Sequence, residues 1–375
     1  MGLGIGATSV KVSTARYVAR TGAAIVLALG AAACGGGPAG SMPTGESETV
    51  AASSTASGPT TVRLLTHDAF AISTDLIDQL KAETGITLEV VTAGDAGTMV
   101  AGAVLASGAP TADVLFGVDN TLLERARAAD IFEPYQSSVR VVPGLDANTD
   151  GLVTPIDYGD VCINIDAIWF DEHNIALPTT LSDLTSETYR GLLTVIDPAT
   201  SSPGLAFLLS TIARWPDSWQ KYWADLKAND VRVAADWTSA YQGDFTVSGG
   251  GRPLVLSYAT SPPAEIVYAE GTPPNQPRST VMTDGCYRQI EYAGVLRGTA
   301  QPDSARTVVD WLASPAVQQD LPLSMFVFPA RQDTPLPEVF STFAARATNP
   351  AQLPPGAIAD KLDSWLGQWD AVMGR

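Results

Sequence analysis

The sequence predicts an α/β fold of two lobes joined by two crossovers. Three observations carry this. Short apolar runs alternate with helical segments from Thr61 onward, the alternation breaks near Asp157 and resumes, and polar or aromatic residues collect just after the strands. With 375 residues, 45% of them hydrophobic, the chain is large enough for two cores.

TVRLLT reads as a strand. TDLIDQLKAETG is a helix, with Leu76, Ile77 and Leu80 on one face and Gly85 as its C-cap. ITLEVVT is a second strand, GTMVAGAVLASG a helix of small residues, ADVLFGV a third strand and NTLLERARAAD a third helix. This spacing specifies a mostly parallel sheet. After the break, VTPIDYGDVCINI forms one long extended segment. GLLTVID, SPGLAFLLSTIARW, DSWQKYWADLKAND, VRVAAD, WTSAYQGDF and PLVLSYATS follow as strand, helix, helix, strand, helix, strand. Trp215, Trp219 and Trp223, four apart, make one packing face. PAEIVYAEG, a strand pair near STVMT and YRQIEYAGVL, and helices from DSARTVVDWLA onward complete the chain. The crossovers are expected near Asp157–Tyr158 and Tyr258–Ser261. Residues 61–157 plus 262–375 are then lobe 1, and 158–261 lobe 2.

Residues 1–33 read as an export signal: a basic stretch ending at Arg20, then a small apolar run too short to span a bilayer. LALGAAAC resembles a bacterial lipobox, so Cys34 is the expected lipidation site; an ordinary cleaved signal is the alternative. Residues 34–60 are nearly all Gly, Ser, Thr, Ala and Pro and read as a flexible tether, spanning about 30 Å. The body is thus expected outside the cytoplasm, held to the outer face of the membrane by a lipid. Cys162 and Cys286 remain. The exported compartment permits them to pair, and two separate buried thiols are the alternative. The net charge of −18 repels phosphate backbones and anionic lipid, which excludes nucleic acid as a partner. A monomer is expected.

No GxSxG, HExxH, Walker or GxGxxG motif occurs, so neither catalysis nor a cofactor or metal is predicted. The stronger signal is the set of turns at strand ends, which converge on one cleft in such a sheet. They carry His67 and Asp68 in THDAFA, Asp95 in AGDAG, and Asp119 in GVDN. Asp157 and Tyr158 lie in PIDYGD, Ser201 and Ser202 in PATSSPGL, Trp237 and Tyr241 in DWTSAY, and Tyr258 and Ser261 in SYATSP. Each has a plainer role. Asp95, Asp119, Ser201 and Ser202 are good helix caps, His67 can be a satisfied polar residue, and Tyr158 and Trp237 can be core aromatics. Aromatics and carboxylates sharing a cleft suit a flat, cationic, hydrogen-bonding ligand.

HDAFA, ADVLFGVDN, TPIDYGDVC, DPATSSPGLAFLL, DWTSAY and LSYATSPP resemble the thiamine-binding periplasmic proteins of bacterial ABC importers, in their actinobacterial lipoprotein branch. The likeness runs from about Thr61 to the C-terminus. It implies a type II, cluster D-like periplasmic-binding-protein fold that holds thiamine or a thiamine phosphate between its lobes for delivery to an ABC permease. By that resemblance Asp95 is the acidic ligand contact, Ser201 the serine near the phosphate, and Trp237 and Tyr258 aromatic contacts. His67 and Ala264 stand where the family has tyrosines. Thr74 and Phe326 stand where it has tryptophans, which makes Phe326 a further candidate contact. Another small solute, whether a cation, an anion or a polyamine, is the alternative ligand. An exported hydrolase using Asp157 or Asp119 is the alternative from another class.

Overall fold

A computed structural model of the protein describes residues 60–375. The signal segment, Cys34 and the tether up to residue 59 lie outside the described residues. The strands are β1 (Thr60–Thr66), β2 (Ile86–Thr92), β3 (Val114–Asp119), β4 (Thr154–Asp166), β5 (Leu193–Ile196), β6 (Arg232–Ala234), β7 (Leu254–Tyr258), β8 (Ser279–Val295) and β9 (Phe328–Pro329). The helices are α1 (Thr74–Thr84), α2 (Ala96–Leu105), α3 (Leu123–Ala128), α4 (Ala167–Glu172), α5 (Ser202–Arg214) and α6 (Trp219–Ala228). They continue with α7 (Pro263–Val267), α8 (Pro302–Leu312), α9 (Pro315–Ser324), α10 (Glu338–Phe343) and α11 (Pro355–Met373).

The strands hydrogen-bond in the order β2-β1-β3-β8-β4-β7-β5-β6, with β9 beside β4. Two trios of parallel strands, β2-β1-β3 and β6-β5-β7, each meet one antiparallel strand: β8 on β3 and β4 on β7. β4 and β8 pair with each other along their length and therefore belong to both halves. Val62, Leu64, Val114 and Phe116 of the first half bury against Val308 and Leu312 of α8. In the second half Leu208, Trp219 and Trp223 are buried, so the tryptophan face is core. Trp223 Nε1 donates to the Thr211 hydroxyl at 3.0 Å, which satisfies the indole there.

Three features differ from expectation. The return crossover lies on β8, whereas Tyr258–Ser261 ends β7 inside the second half. The reason is that STVMT and YRQIEYAGV are one 17-residue strand. An irregularity in its pairing opposite Val161–Ile163 interrupts the alternation that sequence reading follows. Second, α11 packs on α6 through Trp369 against Trp223, ring centroids 5.5 Å apart, so not all of 262–375 stays with the first half. Third, WTSAYQGDF forms a π-helical turn over Ser239–Asp244. Cys162 on β4 and Cys286 on β8 are disulfide-bonded, with an S–S distance of 2.02 Å. The bond joins the two crossover strands to each other.

Candidate functional site

A cavity of about 930 Å³ opens where the turns after β1, β2, β5, β6 and β7 meet Glu291 of β8. That is in the upper part of the range for small-molecule sites, about 300–1,000 Å³. His67, Asp68, Asp95, Ser202, Trp237, Tyr241, Tyr258, Ser261 and Phe326 all line it.

The second half supplies the rings. Tyr241 lies on the π-helical segment and Trp237 just before it, one turn away, and their rings stack at 5.0 Å with an interplanar angle of 10°. Trp237 Nε1 donates to the Ser257 hydroxyl at 2.9 Å, and Ser257 pairs with Ser261 at 2.9 Å. These hydroxyls, at the end of a strand otherwise apolar, hold the indole in place. Tyr258 donates to Gln289 Oε1 at 2.8 Å. Gln289 in turn donates to Asp119 and, at 2.7 Å, to the Ser202 hydroxyl.

Acids concentrate on the first half. Asp95 caps α2. Its Oδ1 accepts from the Ala96 amide at 2.6 Å and its Oδ2 from the Trp237 amide at 3.0 Å, so one carboxylate ties both halves together. Burial raises its pKa above the ordinary value, and the bonds from Trp237, Ser201 and Ala96 offset this only in part. Next to it the Thr98 amide donates to the Thr200 carbonyl at 3.1 Å. Gly97 permits that approach, since a Cβ there would lie 2.6 Å from the Thr200 backbone. His67 Nε2 lies 3.4 Å from Glu291 Oε1. Burial disfavours the imidazolium, but the Glu291 charge, helped by Asp95 and Asp68, outweighs it and leaves the His67 pKa raised. Burial also opposes the Glu291 carboxylate, yet His67 and a hydrogen bond from Asp157 hold its pKa below the usual range. Asp157 is the cross-strand partner of Glu291, and burial beside that charge pushes its carboxyl well above the ordinary range.

Four predicted contacts do not reach the cavity wall. Asp119 is fully buried and caps the turn into α3, accepting from the Thr121 and Leu122 amides at 3.1 Å each. Burial and the Glu291 charge push it up to about 7, against the bonds from Thr121 and Gln289. Asp157 sits behind Glu291. Tyr158 is buried on the far side, stacked on Phe328 at 5.3 Å. Ser201 is buried beside Asp95, at the N-cap of α5. With Asp119 and Asp157 out of reach, the carboxylate pair a hydrolase needs is not formed by them. Sequence reading missed Glu291, Phe70, Tyr268, Glu265 and Arg278, all of which line the cavity. Glu291 lies in the apolar run around YAGV, and only the cross-strand register with Asp157 reveals where it points.

Residues 109–344 match the family described as bacterial extracellular solute-binding protein. The chain belongs to that family. This solute-binding protein is 31% identical over 268 residues to the thiamine-binding periplasmic protein of Salmonella typhimurium, covering 70% of this chain and 77% of that one. It is 30% identical over 267 residues to the Escherichia coli protein of the same name, again covering 70% and 77%. The solved structure of a periplasmic thiamin binding protein matches it with a TM-score of 0.74 at 25% identity, over 84% of this chain and 96% of that one. The solute-binding protein therefore has the two-lobe type II fold. It works outside the cytoplasm, capturing a small molecule for an ABC transporter rather than catalysing a reaction.

Proposed function

We propose that the protein captures thiamine or a thiamine phosphate in this cavity and hands it to the permease of an ABC importer. One observation carries the reading: the stacked Trp237–Tyr241 pair and the acids Asp95 and Glu291 line the same cavity. A flat aromatic cation fits that division, and an aromatic face over a desolvated cation contributes about 2 kcal/mol. Thiamine joins a permanently charged thiazolium to an aminopyrimidine, so it offers both the charge and the hydrogen-bonding ring. Ala264 lines the cavity where the family resemblance puts a tyrosine, and Tyr268, one turn further along, supplies an aromatic ring at the rim. Tyr268 meets Phe326 edge to face at 5.5 Å, across the mouth. His67, Asp68, Ser202, Tyr241, Tyr258 and Ser261 complete the ligand contacts in this proposal.

The two lobes close over the solute by bending at β4 and β8, and the permease takes it from the open form. Cys34 carries the lipid that keeps the protein, a monomer, at the outer face of the membrane. Calorimetry with thiamine, its mono- and diphosphate and the free pyrimidine tests the ligand. Micromolar or tighter binding of at least one is expected; no heat from any of them sinks the assignment and leaves another small solute. Cys34→Ala tests the anchor: it should release the protein from the membrane fraction.

A further inference from the structure

We propose that His67 is the group this site discharges when its ligand arrives: an organic cation settling beside Glu291 replaces the imidazolium as that carboxylate's partner, and the His67 proton leaves to solvent. The inference rests on the cationic-ligand reading above. His67 and Glu291 both line the cavity, both are buried, and their side chains stand 3.4 Å apart. The ring has a fixed seat. Gly117 lies beneath it at φ +96°, and a Cβ there would strike His67 Cδ2 at 2.4 Å. Phe116 flanks it, with ring centroids 5.8 Å apart.

The charges facing this imidazole can be named in full. Glu291 comes from β8, Asp95 from the start of α2, and Asp68 from its own turn. Asp157 of β4 and Asp119 of β3 stand behind Glu291, and burial favours the neutral carboxyl in both. No basic side chain among the described residues adds to the charge on this imidazole. Among the described residues lining the cavity the other cation is Arg278, whose guanidinium is already bound to Asp166 at 2.8 Å. The unliganded site thus holds one movable positive charge, and that charge is a proton on a histidine.

A ligand cation and an imidazolium cannot share a desolvated carboxylate without repelling each other. Histidine is the partner able to yield near neutral pH. The step balances simply: protonated His67 paired with Glu291, plus one cation, becomes neutral His67 with the cation on Glu291, plus one proton in solvent. Net charge in the cavity is unchanged. Because binding releases a proton, affinity for a cation rises with pH, by at most about tenfold per pH unit, between the bound-state and free-state titrations of His67. An uncharged analogue releases none.

Two measurements test this. In the His173→Gln protein His67 is the sole imidazole, because the chain has 2 histidines. Its proton NMR signal in unliganded protein should titrate above the ordinary value of 6.5 and fall below it in Glu291→Gln. Titration at or below the ordinary value with Glu291 intact overturns the proposal, whatever the ligand proves to be. Thiamine calorimetry near neutral pH is then compared across buffers of different ionisation enthalpy. The wild type should release close to one proton, and His67→Gln none, with an affinity that no longer depends on pH. Thiamine binding without proton release, or release that survives His67→Gln, also overturns it. Failure of thiamine to bind sinks the ligand assignment instead, while the NMR titration still decides whether the pair is built as described.

Discussion

The two walls of the cavity differ in kind. The first half presents charge: His67, Asp68, Asp95 and Glu291, with Asp119 and Asp157 packed behind. The second half presents rings and hydroxyls: Trp237, Tyr241, Tyr258, Ser257 and Ser261. The difference follows from the backbone that carries each wall. On the first wall His67, Asp68 and Asp95 sit on the turns after β1 and β2, while Glu291 sits within β8, where cross-strand pairing fixes it opposite Asp157. On the second wall the helical turn that leads from Trp237 into the π-helical segment places Trp237 and Tyr241 one turn apart, so their rings stack. Under the proposed function, charge is read mainly by one half and ring shape by the other.

The link that holds the two walls together carries the largest expected effect. Cys162 and Cys286 are 124 residues apart, and closing a loop of that length stabilises the fold by about 5 kcal/mol in the chain-entropy model. Reduction, or Cys162→Ala with Cys286→Ala, should lower the melting temperature strongly and weaken binding at both walls alike. Intact mass before and after reduction and alkylation shows whether the pair is bonded in solution.

The charged wall alone sets the next expectation. Asp119 has a folded pKa of about 7 against an ordinary 3.8, so the folded protein binds more protons than the unfolded chain between those values. Stability should therefore fall as pH rises from about 4 through about 7. Asp157 is raised as well and acts in the same direction. The contribution of His67 is full below its ordinary value and is lost as pH passes its raised folded value. Melting temperature should increase from pH 8 to pH 5, and Asp119→Asn should flatten that slope, removing on the order of a few kcal/mol of pH-dependent stability.

On the aromatic wall, Trp237→Ala should weaken thiamine binding by about 2 kcal/mol, roughly thirtyfold, in calorimetry. Stability should change little, because Trp237 is only partly buried. Asp95→Asn keeps an acceptor for the α2 cap but loses the one that takes the Trp237 amide, so it should weaken thiamine binding through both walls. The smallest effect is expected at the mouth. Tyr268 is 67% exposed, so Tyr268→Ala should cost below about 1 kcal/mol of affinity and act mainly on the dissociation rate.

Much of this was legible in the chain. Helix α1 ends at Gly85 with a left-handed φ of 74°, as its sequence predicts, and β4 is the single long strand that its uninterrupted pattern implies. The loops bearing His67, Asp95, Trp237 and Tyr258 do meet at one cavity. What failed was the sorting of buried acids. Asp95, Asp119 and Asp157 look alike at strand ends, yet Asp95 lines the cavity, Asp119 caps a turn and Asp157 supports Glu291.

Local pattern determined the elements, their order and the turns that carry function, because apolar periodicity and capping act within a few residues. Tertiary structure decided that β8 is one strand, that it carries the return crossover, and that Glu291 meets both His67 and Asp157. Those partners lie more than a hundred residues away in the chain. Alternation along a strand tells a side chain's face but not its neighbour, and the charge state of a buried acid depends on the neighbour.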